Sequence, residues 1–168
     1  MLALSLIIIG ILLRFAPHLP NFTPIAAIAL FSGAYLNKKY ALIVPLVLMI
    51  AGDLIIGLHN VVLFTWGSFI LITLLGLWLK KHKTIFGTLS MSLVSSLLFY
   101  IISNFGVWLM GWYPHNLKGM VDCYIMALPF LRNFTLATLL YTTAFFSVYE
   151  LIARLVKNTK YSRVLLTS

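Results

Sequence analysis

Six stretches of the chain are nearly unbroken runs of apolar residues, separated by short polar turns. They cover residues 2–15, 24–36, 40–58, 61–79, 85–111 and 129–156. Apolar and polar positions do not alternate along them, which excludes the strands of a β-barrel, so each reads as a helix. A helix needs roughly 20 mostly apolar residues to cross about 30 Å of hydrocarbon. The last four stretches meet or approach that length. The first two are shorter and are expected to tilt, to thin the bilayer or to extend into flanking residues. The pattern predicts an all-α, six-transmembrane-helix bundle forming a single membrane domain over residues 1–168. Four or five spans is the alternative if a short stretch is re-entrant. The first stretch lacks the positive leading region and the small-x-small cleavage site of a secretory signal, and reads as a retained helix.

Composition narrows the class further. Of 168 residues, 62% are hydrophobic and 9% are charged, with a mean hydropathy of +1.05. Soluble domains carry about 25% charged residues, and disordered chains need low hydrophobicity. Both are excluded. A single cysteine excludes an intramolecular disulfide framework.

Twelve Lys and Arg against three Asp and Glu leave a net charge of +9, which raises nucleic acid as a partner. The membrane topology absorbs that charge instead. With six spans and the N-terminus inside, Lys38, Lys39, Lys80, Lys81, Lys83, Arg154, Lys157, Lys160 and Arg163 fall on the inner side. Arg14, Lys118 and Arg132 fall on the outer side. An excess of Lys and Arg in the cytoplasmic loops is the usual signature of orientation. Both termini are therefore expected in the cytoplasm of a multi-pass plasma (inner) membrane protein, with a lipid bilayer and no nucleic acid as partner.

This topology gathers chemistry at the outer end. Arg14, His18 and Asn21 lie at the first outer turn, His59 at the second, and Tyr113 and His115 at the third. Asn104 and Trp108 lie just below, Arg132 heads the last helix, and Asp53 lies inside the third. An ionised carboxylate within a span costs at least ~2.5–3.5 kcal/mol, so it faces the bundle interior and takes a partner. Arg14 and Arg132 are the outer-half cations. Asp53 has two readings: a pair that only locks helices, or a pair that also meets a polar ligand. Trp108, Trp112 and Tyr113 likewise fit either an interfacial aromatic belt or a cavity wall that stacks on a flat heterocycle. Cys123 fits a packing thiol or a soft ligand.

Other chemistry is missing. There is no phosphate-binding Gly-x-x-x-x-Gly-Lys, no Gly-x-Ser-x-Gly, and no His or Glu spacing that sets two metal ligands on one helical face. No metal and no cofactor is expected. Small residues crowd the second stretch, with Ala26, Ala29 and Gly33 near one face, and such residues let helices approach closely in lipid. Glu150 and Arg154, four apart, read as a structural pair.

One segment carries a resemblance. Pro-x-x-Pro-Asn-Phe-Thr-Pro-Ile-Ala-Ala-Ile-Ala-Leu-Phe-Ser-Gly-Ala-Tyr-Leu (17–36) precedes a basic turn, Tyr-Ala-Leu-Ile-Val-Pro (40–45) and Gly-Asp-Leu-Ile-Ile-Gly (52–57). It resembles the substrate-binding S components of energy-coupling-factor (ECF) transporters, in particular a group of putative transport proteins without an assigned substrate. Asn-Phe-Gly-Val-Trp (104–108), Tyr113-Pro114, Ala-Leu-Pro-Phe (127–130) and Asn133 look like the same group. The resemblance implies a six-helix bundle that takes a vitamin or similar micronutrient from outside. It also implies docking through small residues onto a transmembrane coupling protein with two ATPases. By that analogy Ala26, Ala29 and Gly33 are the docking candidates. The family's small-residue motif belongs to the first helix, whose small residues here are Ala3, Ser5 and Gly10.

The sequence thus points to a transport protein that is not an enzyme. Its small-molecule site would be Arg14, His18, Asn21, Asp53, His59, Asn104, Trp108, Tyr113, His115 and Arg132, holding the ligand by charge-assisted hydrogen bonds. A small integral-membrane enzyme using the same His/Asp/Arg cluster, or a structural subunit of a membrane complex, is the alternative.

Overall fold

The centre of the fold is its second helix. The computed structural model describes residues 1–14 and 19–159, and all of the described secondary structure is helical. In chain order the helices are α1 (Leu2–Arg14), α2 (Ile25–Tyr35), α3 (Lys38–Ile56), α4 (Val62–Leu79), α5 (Ile85–Leu109), α6 (Leu117–Met126) and α7 (Leu128–Val156). Every residue of α2 is buried, and the helix packs against α1, α3, α4, α5 and α7. A helix that is apolar on all sides belongs in a protein core or in lipid, and α2 is in the core. Its 11 residues rise about 16 Å, half the hydrocarbon thickness of a bilayer.

Two devices make that enclosure work. The first is a close crossing of α2 and α4. A side chain on Gly33 would collide with the backbone of Thr73 and Gly76, and one on Gly76 with the backbone of Leu30. Only hydrogen fits at either position. Ala26 and Ala29 are also fully buried, so these three small residues are not an external docking face, and that expectation is corrected. They are spent on packing inside the bundle.

The second device repairs a proline. Pro45 lies inside α3, where it has no N–H to give the carbonyl four residues back, at Ala41. Ser32 Oγ, on α2, reaches that carbonyl at 3.1 Å. The same hydroxyl lies 3.0 Å from its own Ala29 carbonyl, so one hydrogen serves two acceptors.

Polarity is distributed inside out. On α5, Ser92, Ser95 and Ser96 are completely buried, while Leu93, Leu97 and Ile101 are about half exposed. Each of the three serines returns its hydrogen to the carbonyl four residues earlier. α7 likewise hides Thr138 and Thr142 and exposes Leu136, Leu140, Leu151 and Leu155. In water that arrangement would leave large apolar patches unsatisfied. In lipid, small and hydroxyl residues belong at helix contacts and leucines face the acyl chains. Three helices, α4, α5 and α7, are long and apolar enough to cross a membrane.

The two ends of the bundle differ. At one, Lys80 Nζ donates to Leu36 O at 3.0 Å, and Lys83 sits 4.3 Å above the Tyr35 ring. Tyr35 Oη donates to Glu150 at 2.6 Å, so Glu150 engages α2, not the Arg154 expected from their spacing. Phe31 and Tyr35 pack there among Phe146 and Tyr149. The other end holds the turns 57–61 and 110–116, helix α6 and a cavity.

Candidate functional site

The last turns of α5 set one wall. Phe99, Tyr100, Ser103, Asn104 and Val107 recur at spacings of three and four, which places them along a single helical face. That face looks into a cavity of about 440 Å³, within the size range of small-molecule sites. Val61 and Thr65 from the start of α4 line it, as do Phe130, Leu131 and Phe134 from the start of α7. Met126, Ala127 and Cys123 come from α6 and its junction, and Asn21, Trp112 and Tyr113 complete the lining. Phe99 and Phe134 stack with ring centroids 4.4 Å apart.

Helix α6 was hidden in a stretch read as an outer loop. Its start is specified locally: the Asn116 side chain accepts from Gly119 N at 2.7 Å, the usual N-cap arrangement. Gly119 is required because any side chain there would strike the Pro114 carbonyl. Ala127 then closes α6 and opens α7, with Pro129 in the first turn, where its missing N–H costs nothing. α6 is fastened to α5 by two reciprocal bonds. Tyr100 Oη donates to Tyr124 O, and Tyr124 Oη donates to Ile101 O, each at 2.7 Å. Cys123 Sγ adds a contact to Asn104 O at 3.5 Å.

The mouth is held by tryptophans. Trp112 Nε1 reaches Asn60 Oδ1 at 3.3 Å, which ties the α5–α6 turn to the α3–α4 turn. Trp108 Nε1 donates to Pro114 O at 3.0 Å, and His115 Nε2 lies 3.0 Å from Trp108 O. Gly111 turns this loop with φ 82°, a conformation that favours glycine. On the opposite rim Asn133 Nδ2 donates to Pro20 O at 3.1 Å, and Asn21 takes the left-handed conformation with φ 59°, which asparagine tolerates.

Of the ten residues expected at the site, Asn21, Asn104 and Tyr113 line the cavity. Trp108 and His115 support its rim through each other and do not line it. Arg132 and His59 are exposed and outside the lining. Asp53 is 5% exposed and accepts from Trp66 Nε1 at 2.7 Å, a bond between α3 and α4 away from the cavity. His18 and the Arg14 side chain lie outside the described residues. The expected cluster of Asp and Arg around one ligand is therefore not assembled by the described residues. What sequence reasoning missed is mostly apolar or hydroxylic: Thr65, Phe99, Tyr100, Ser103, Phe130 and Phe134. The spacing of 99/100, 103/104 and 107 was a readable signal, but search for charge passed over it.

The cavity has little acid–base capacity. Burial pushes the Cys123 thiol above its usual range, so it is held as the neutral thiol at neutral pH. Among the described residues no group of three His, Cys, Asp or Glu side chains could hold a metal ion. The chemistry on offer is enclosure, aromatic contact and hydrogen bonding.

No curated protein and no solved structure matches the chain. Residues 1–161 match a family of unknown function (DUF6580), and with nearly the whole length covered, the chain belongs to that family.

Proposed function

We propose that this protein binds a small molecule at the outer face of a plasma (inner) membrane and carries it inward, in the manner of the S components of ECF transporters. The observation that carries the reading is the cavity of about 440 Å³, open at one end, walled by α4, α5, α6 and α7 and bridged by the Trp112–Asn60 bond. In this reading α1 to α5 and α7 are the six spans, α6 lies at the outer surface, and both termini are cytoplasmic. The basic end with Lys38, Lys39, Lys80, Lys81 and Lys83 is then the inner one, as the positive-inside rule requires. The ligand is a vitamin-like micronutrient. A coupling protein with two ATPases supplies the energy for release, through a surface other than Ala26, Ala29 and Gly33.

The alternative of a membrane enzyme needs an acid and a base within reach of one substrate. Among the described residues neither His59 nor His115 faces the cavity, and Asp53 is engaged by Trp66, so these residues favour binding over turnover. Purification from native membranes under mild detergent tests the proposal. It expects an identified pair of ATPases and a coupling protein, or a retained small molecule when the subunit works alone. Turnover of a compound by the isolated protein, lost in Tyr113→Phe, would replace transport with catalysis.

A further inference from the structure

The hydroxyl hydrogens of the cavity's interior, and one of the two amide hydrogens of Asn104, are already committed. Thr65 Oγ1 donates to Val62 O at 2.9 Å, and Ser103 Oγ donates to Phe99 O at 2.6 Å. Tyr100 Oη donates to Tyr124 O at 2.7 Å, and Asn104 Nδ2 donates to Tyr100 O at 2.8 Å. Cys123 Sγ contacts Asn104 O at 3.5 Å. In every case the partner is a backbone carbonyl, which owns no hydrogen, so the shared hydrogen belongs to the side chain. These bonds are not freely exchanged for a ligand. Three of them stay within one helix, where the carbonyls are already helical acceptors, and the bonds of Tyr100 and Cys123 fasten α6 to α5.

What remains for a guest is mostly lone pairs. Thr65, Tyr100 and Ser103 each keep acceptor capacity on the hydroxyl oxygen, and Asn104 keeps its Oδ1. The side-chain donors left over are the second amide hydrogen of Asn104 and, at the rim, half-buried Tyr113 and exposed Asn21, neither of which has a hydrogen-bond partner among the described residues. No charged side chain lines the cavity among those residues. The walls are aromatic: Phe99 and Phe134 are stacked, and Phe130 and Trp112 line the same space. A flat ring satisfies such walls, and an acceptor-rich interior is satisfied only by a molecule that brings hydrogens.

We infer that the ligand is a planar nitrogen heterocycle with an N–H or NH2 edge directed into the cavity, where Ser103, Asn104, Thr65 and Tyr100 accept from it. A molecule whose inner edge carries only oxo or carboxylate groups would meet one free amide hydrogen, on Asn104, and otherwise face lone pairs with lone pairs, so it binds more weakly, because buried polar groups left unpaired penalise the wrong guest. The inference rests on the reading of this cavity as the binding site and specifies what that site selects.

Ligand-observed NMR on the full chain in lipid nanodiscs tests it, with matched planar heterocycles in three sets: amino-substituted, unsubstituted, and oxo- or carboxyl-substituted. The amino set is expected to bind at least tenfold tighter than the oxo and carboxyl set. Ser103→Ala, which a helix tolerates, is expected to weaken the amino set at least threefold and leave the unsubstituted set unchanged. Equal or tighter binding of the oxo and carboxyl set overturns the donor inference while leaving the cavity a binding site. No binding by any set overturns both.

Discussion

Pro45 leaves the Ala41 carbonyl without its helical donor inside the protein, and Ser32 supplies the replacement from the neighbouring helix. A buried acceptor stripped of its partner costs about 1–3 kcal/mol. Ser32→Ala should therefore destabilise the bundle by about that amount, read by reversible unfolding in mixed micelles. Restoring the helical donor in Ser32→Ala/Pro45→Ala should recover most of the loss. Asp53 presents a similar case at the other end. Its carboxylate accepts from Trp66 Nε1 at 2.7 Å, and hydrogen bonds to charged groups contribute about 1.5–3 kcal/mol. Trp66→Phe should lower stability by that order, and a double-mutant cycle with Asp53→Asn should show the two positions coupled. Ligand affinity should change little in Trp66→Phe, because neither residue lines the cavity.

At the scale of elements, the α2–α4 crossing depends on glycine at Gly33 and Gly76, where added side chains meet backbone that cannot move aside. Overpacking of this kind costs about 1–3 kcal/mol or more, so Gly33→Val should unfold at markedly lower denaturant than the parent. Gly67, also on α4, is the control: a side chain there meets nothing within 4 Å. Gly67→Ala should stabilise the helix by about 0.5–1 kcal/mol through propensity alone. Six of the helices were legible in the sequence because unbroken apolar runs of that length read as helices. Six of the seven described helices start and end within four residues of the apolar stretches. α6 was not legible that way, being short and carrying Lys118 and Asp122. Its N-cap Asn116 and the spacing of Leu117, Val121 and Ile125 were the signal that hydropathy passed over. The role of α2 was also hidden. Its small residues suggested a surface for a partner, and nothing in the sequence distinguishes an outer seam from the central contact that they make.

For the whole molecule, the site was legible by region more than by residue. The turns 57–61 and 110–116 do border a cavity, and Asn21, Asn104 and Tyr113 line it. Asp53 and Arg132 stand elsewhere, the first held at a helix contact and the second left exposed, since a carboxylate or guanidinium near lipid is expensive to bury. Orientation follows from the proposed topology and is directly measurable. His59→Cys should react with a membrane-impermeant maleimide on intact cells, and Lys81→Cys only after permeabilisation. The native Cys123 gives little background, because it is buried and its thiol is held above the usual range. Its labelling should rise with pH as the thiolate forms.

The central claim is that the cavity between α4, α5, α6 and α7 holds a small molecule, and native mass spectrometry of the protein released directly from its own membranes tests it most directly. The account predicts one small-molecule adduct bound one to one on the parent chain, and its loss in a folded Ser103→Phe variant that fills the cavity. A bare parent chain, or an adduct that persists in the filled variant, would contradict it.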